Sequence, residues 1–129
     1  RTITRYKYDR LTGEISSPQV FFKGEEHHGL PDGITLDAEG CIWAAFWGGS
    51  SVKRINPDGK IIEEIVLPAM QPSSVMFGGH DLCDLYITSS CQGAVDINKG
   101  YDSQGNFLGG PVYKCHMDVK GRPEWLADF

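Results

Sequence analysis

The sequence has no long hydrophobic run. A membrane-crossing helix needs about 20 consecutive apolar residues, and the most continuous stretches here, CIWAAFW (Cys41 to Trp47) and DLYITSS (Asp84 to Ser90), are short. No membrane partner is expected. A concentrated basic face is also missing, because 12 Lys and Arg stand against 17 Asp and Glu for a formal net charge of -5. Phosphate backbones are held by clustered cations, so no nucleic acid is expected. The four cysteines, Cys41, Cys83, Cys91 and Cys115, are widely spaced and form no C-x-x-C pair. A chain of 129 residues can bury a core without covalent staples, so a disulfide framework is not expected. Cys41 and Cys115 sit in apolar runs, where free cysteine behaves as a small hydrophobe. No signal peptide is visible, which points to the cytoplasm. The chain opens on Arg1 rather than Met, however, which leaves an upstream segment open. A helical stripe is absent throughout.

What is present reads at period two. TITRYKYD near the start, SVKRIN in the middle and PVYKCHMD near the end alternate, while CIWAAFW and DLYITSS are more continuously apolar. These runs have strand length. They are divided by LTGE, DAEG, NPDG, FGGHD and VKGRP, all rich in turn formers. The pattern is that of an all-β chain.

An internal repeat narrows the architecture. Pro31-Asp32-Gly33-Ile34-Thr35-Leu36 lines up with Pro72-Ser73-Ser74-Val75-Met76-Phe77 at an offset of 41, and Ile42-Trp43 then matches Leu85-Tyr86. After an insertion between Ser90 and Gly109, Ser51 to Ile55 matches Pro111 to Cys115. The opening ITRYKYDRLTGEISSPQVFF resembles the back half of the same unit. Repeats of about 40–50 residues with four strands are the signature of β-propeller blades. The expected layout is a half blade over 1–24, a blade over 29–70, and a blade over 71–129 with a long inserted loop. About two and a half four-stranded blades cannot close a ring. Either the chain is a piece of a longer one, or copies associate, and a homo-oligomer, a dimer first, is expected to cover the open sheet edges.

PDGITLDAEGCIWAAFW, and the PSSVMFGG that follows one blade later, resemble the second half of the family of senescence marker protein (regucalcin), gluconolactonase and luciferin-regenerating enzyme. The resemblance also takes in DLYITSS and the closing GGPVYKCHMDVKGRPEWLADF. It implies a six-bladed propeller with one divalent cation in the central channel and hydrolysis of sugar lactones. In the family the aspartate of the Pro-Asp-Gly turn binds the metal and is proposed as general base, a role that falls on Asp32. A carboxylate suits a hard cation, so calcium is implied first, with zinc or manganese as alternatives. The family's other ligands, a glutamate and an asparagine, lie upstream of Arg1. The implied function is a metal-dependent hydrolase of sugar-type lactones acting on a lactone or sugar acid, its site completed by a missing segment or another copy. The alternative is a non-catalytic half-propeller that assembles and binds a small molecule or a protein.

Plainer readings stand beside these. Asp32 is in a turn, where aspartate often caps its own backbone. Glu25 to His28 combines carboxylates and imidazoles, but neighbours on an extended chain face opposite ways, so His27 and His28 are expected not to share an ion. GGHDLCD (Gly78 to Asp84) aligns with a hairpin turn. Ser73 and Ser74 match Asp32 and Gly33 and are candidates for substrate hydrogen bonds, although no G-x-S-x-G elbow marks a serine nucleophile. Trp43, Phe46 and Trp47 are expected in the core rather than stacked on a sugar.

Overall fold

A computed structural model describes residues 1–124 of the chain. The end of the expected third blade, residues 125–129, lies outside the described residues. The strands are β1 (Thr2–Tyr8), β2 (Ile15–Lys23), β3 (Leu30–Leu36), β4 (Ile42–Trp47), β5 (Ser51–Ile55), β6 (Ile61–Val66), β7 (Pro72–Gly78), β8 (Asp84–Ser89) and β9 (Val112–His116). They form three antiparallel sheets, β1-β2, β3-β4-β5-β6 and β7-β8-β9. Sequential neighbours pair in each, as in a propeller blade, and the chain is an arc of a six-bladed propeller. The third sheet has three strands among the described residues, where the repeat led us to expect four.

The central blade shows why these residues make strands. β4 is continuously apolar because both of its faces are covered. Trp43 and Ala45 join Val52, Leu67, Val75, Phe77, Leu85 and Ile87 in the core between the second and third sheets. Ala44 and Phe46 pack with Phe22 and Ile55 in a second core toward the first sheet. Trp43 is fully buried and meets Phe77 edge-on at 6.0 Å between ring centroids. Truncating an aromatic at such a site costs about 3–5 kcal/mol. The β5–β6 hairpin turns at Asn56-Pro57-Asp58-Gly59. There Asn56 Oδ1 accepts from the Asp58 and Lys60 amides at 3.1 and 2.9 Å, and Gly59 takes φ 78°.

At one end of the blades the inserted loop is docked rather than wandering. The amides of Met70 and Gln71 donate to Phe107 O and Leu108 O at 2.9 and 2.8 Å, and Leu108 is buried. At the opposite end, the segment after β9 straps two blades together. Met117 N and Gly121 N donate to Cys83 O and Leu82 O, both at 2.8 Å, while Ala38 N donates to Lys120 O and Arg122 N to Leu36 O at 2.8 and 3.0 Å.

Both end faces of the arc are open. The two strands of the first sheet cover only part of β3–β4, leaving Ile34 49% exposed together with Leu30 and Leu36, and Met76 and Tyr86 are exposed on the third sheet. Among the described residues no helix is long and apolar enough to cross a membrane.

Candidate functional site

The inner strands β3 and β7 begin alike. Pro31 lies opposite Phe46, but the next register pair is Ile34 with Ala44, so Asp32 and Gly33 together span one residue of β4. In β7, Pro72 lies opposite Ser89 and Ser74 opposite Thr88, which leaves Ser73 as the extra residue. Each inner strand thus carries a β-bulge just after a proline. Proline lacks the N–H that an interior ladder needs and is tolerated on edge strands, which β3 and β7 are. A bulge re-aims side chains and ends regular pairing, and bulges recur beside active sites.

The two bulges touch. A Cβ on Gly33 would stand 2.7 Å from Ser74 Cα, so the strands approach to a distance that only glycine permits. Asp32 is exposed at this meeting point, and its carboxylate makes no hydrogen bond or ion pair among the described residues. Two turn aspartates elsewhere behave differently. Asp9 accepts from the Leu11 and Thr12 amides, and Asp102 from those of Gln104 and Asn106, which holds both carboxyls below their ordinary pKa; at Asp102 the Asn106 side chain leads. Asp32 does not cap its turn. In the bulge of β7, Ser73 Oγ and Thr88 Oγ1 share a hydrogen bond of 2.8 Å. Ser89 Oγ donates to Pro111 O at 2.6 Å and accepts from Gly110 N at 3.0 Å, tying the inserted loop to β8.

A hard cation such as calcium takes six to eight oxygens. The described residues hold no group of three or more His, Cys, Asp or Glu side chains that could bind a metal ion. Asp32 is a lone carboxylate, and a cation site is not complete within these residues.

The other aspartate of the motif has a different job. Asp37, at the far end of β3, is fully buried. Its Oδ1 accepts from the amides of Glu39 and Cys41 at 3.0 and 2.8 Å, and its Oδ2 from Trp43 Nε1 and Arg54 Nε at 3.0 and 2.8 Å. Arg54 also bonds Glu39 at 2.7 Å and lies over the Trp43 ring. Desolvation pulls the Arg54 pKa down, but its bonds to Glu39 and Asp37 outweigh that and the net shift is upward. Sequence reasoning saw only a hairpin turn here. The available signal was Trp43 and Arg54, which are register partners within reach of the turn. It also missed Lys53, buried at 4% exposure, paired with its register partner Glu64 and set 5.4 Å from the Phe46 ring centroid.

One expectation needs correction. Glu26–His28 is a turn of 3-10 helix rather than extended chain, so the His27 and His28 rings share a side, with centroids 4.1 Å apart. His28 Nδ1 accepts from Glu25 N at 3.1 Å and the ring packs against Phe22 and Phe46. Burial first, then the charges of His27 and Lys53, lower its pKa below the ordinary 6.5. Gly78 to Asp84 includes a turn, with Leu82 N donating to Gly79 O at 3.4 Å and Cys83 N to Asp81 Oδ1 at 3.1 Å. Trp43 and Phe46 are core, and Trp47 is half-buried.

The geometry agrees with comparisons to known proteins. The profile of the SMP-30/Gluconolactonase/LRE-like region matches residues 1–91. Pentonolactonase XacC of Haloferax volcanii is 37% identical over 99% of this chain, which spans 44% of that protein. Regucalcin of Xenopus laevis is 38% identical over 88% of the chain and 38% of its own length. Among solved structures, a regucalcin of Agrobacterium tumefaciens described as a calcium-binding protein superposes with a TM-score of 0.81 at 31% identity, over 99% of this chain and 42% of that one. A luciferin-regenerating enzyme gives 0.80 at 33% identity, over 95% and 40%. The chain therefore spans about two fifths of the length of these relatives. With the matching bulges of β3 and β7 and the Pro-Asp-Gly start of the inner strand, it belongs to the SMP-30/gluconolactonase/luciferin-regenerating enzyme family.

Proposed function

We propose that this chain takes part in the hydrolysis of sugar-type lactones, with Asp32 as the reacting carboxylate. The observation that carries the reading is an exposed carboxylate without a partner among the described residues, set on a bulge where two inner strands meet. The relatives include a pentonolactonase and a 6-deoxy-6-sulfogluconolactonase of Pseudomonas putida, which supports the substrate class. In this chemistry the Asp32 carboxylate takes a proton from water as the water oxygen attacks the lactone carbonyl carbon. The tetrahedral oxyanion collapses, the ring C–O bond breaks, and the departing ring oxygen takes up a proton to leave a hydroxy acid. A positioned general base contributes about 10²–10⁴-fold.

Asp32 is also proposed as one oxygen ligand of a divalent cation, calcium first. The Agrobacterium relative's description as calcium-binding supports this. The remaining ligands come from outside these residues, from an upstream segment or from a second copy in a homo-oligomer. The test is lactone hydrolysis followed by acid release, with and without calcium. Asp32→Asn should cut the rate at least about 100-fold with the fold unchanged, and a variant as active as the parent would refute the assignment.

The open apolar faces at both ends of the arc favour a second reading, a non-catalytic assembly that binds a partner. That reading expects an assembled particle with no turnover on any lactone.

A further inference from the structure

The pseudo-repeat places a second polar group level with Asp32. Leu36 pairs with Ile42 as Phe77 pairs with Leu85, and Pro31 pairs with Phe46 as Pro72 pairs with Ser89. The register is the same at both ends of the two hairpins, so the bulged residue of β7, Ser73, is the structural equivalent of Asp32. The residue after each, Gly33 and Ser74, forms the close contact between the strands. We propose that Ser73 is a specificity residue of the site that holds Asp32, taking a hydroxyl of the substrate, with Thr88 as its positioning partner. This inference rests on the lactonase reading and goes beyond it by naming a substrate-contacting group and what it selects.

The chemistry of the pair supports the assignment. Ser73 is half-buried and Thr88 exposed, and their hydroxyls are 2.8 Å apart, either one being the donor. One O–H is used within the pair. The other O–H and the remaining lone pairs stay available, so the pair offers both a donor and acceptors, which matches an alcohol group. No basic side chain hydrogen-bonds Ser73 or Thr88 among the described residues, so the pair does not favour a phosphate or a carboxylate in the way an arginine would. For stability alone it is nearly redundant, because water can replace a hydrogen bond between two solvent-accessible hydroxyls. Its use is directional. Thr88 is β-branched and stiff at χ1, and its hydrogen bond fixes the direction of the Ser73 hydroxyl.

The experiment compares Ser73→Ala, Ser73→Thr and Thr88→Val in the full chain, in whatever assembly it adopts. The substrates are a fully hydroxylated aldonolactone and its single-deoxy analogues. Ser73→Ala should lower kcat/KM for the fully hydroxylated lactone roughly three- to tenfold, the worth of one neutral hydrogen bond. It should leave one deoxy analogue unaffected. Thr88→Val, which keeps the shape and loses the hydroxyl, should show the same selectivity with a smaller effect, and Ser73→Thr should restore the parent value. Equal losses on every lactone, or no loss on any, would overturn the proposal, as would a thermal midpoint in Ser73→Ala that falls with the activity. If the parent chain turns over no lactone, the lactonase reading has failed separately. Binding of the same lactones by ligand-observed NMR then decides. Weaker binding of only the fully hydroxylated compound to Ser73→Ala supports the proposal, and unchanged or absent binding overturns it.

Discussion

Asp32 and Asp37 sit five positions apart on one strand and its turn, and substituting each with asparagine should have opposite consequences. Asp37 is fully buried and accepts four hydrogen bonds from four residues, one of them from a guanidinium. In Asp37→Asn the amide oxygen can keep the Glu39 and Cys41 bonds. The NH2 group then faces Trp43 Nε1–H and Arg54 Nε–H, so two acceptor positions become donor against donor. Hydrogen bonds to charged groups are worth about 1.5–3 kcal/mol each, and removing one partner of a buried pair costs about 3–5 kcal/mol. Arg54 retains Glu39 at 2.7 Å and Glu63 at 3.7 Å, which limits the loss. The result should lie near ~3 kcal/mol, against a total of roughly 5–15 kcal/mol for a single domain. Urea unfolding followed by tryptophan fluorescence is the assay, because Trp43 is itself a partner. With a slope of about 2 kcal/mol/M the midpoint should fall by about 1.5 M. Asp32→Asn, which breaks no bond among the described residues, should leave the midpoint within about 0.3 M. An Asp37→Asn midpoint equally close to the parent would refute the reasoning and assign the turn's stability to its backbone alone.

Two further outcomes follow from the packing of Gly33 and His28. Gly33→Ala should destabilise by about 1–3 kcal/mol, because its Cβ meets the Ser74 Cα at 2.7 Å as well as the more movable Oγ at 2.5 Å; a thermal melt unchanged from the parent would contradict the close approach of β3 and β7. His28 has its pKa lowered by burial, then by His27 and Lys53, so the unfolded chain takes up the proton first. Stability from this group should be full above pH 6.5 and decline as pH falls from there toward the depressed folded value. Midpoints at pH 7.5 and 5.5 should differ less in His28→Gln than in the parent, and an equal difference would show that His28 does not contribute.

Much of the fold was legible because it depends on local chemistry. CIWAAFW is a strand buried on both faces, and it reads as a continuous apolar run. Asn-Pro-Asp-Gly turns where its side chains and φ preferences dictate. The offset of 41 between Pro31 and Pro72 reappears as identical register in two hairpins. The candidate site was legible only through the motif around Asp32. Nothing in a period-two pattern announces an extra residue, so the bulges at Asp32 and Ser73 were invisible, as was the 3-10 turn that turns His27 and His28 to one side.

From the sequence alone came the strands, their grouping into repeated blades, the family, and the aspartate to examine. Tertiary structure decided what each polar residue does. Asp37 and Asp32 are the same residue type in one short motif, yet Arg54, seventeen positions along the chain, and Trp43 converge on the first and nothing among the described residues converges on the second. A carboxylate's role is set by the donors that surround it in space, and those donors arrive from strands whose meeting is fixed by sheet register and blade packing rather than by their neighbours in sequence.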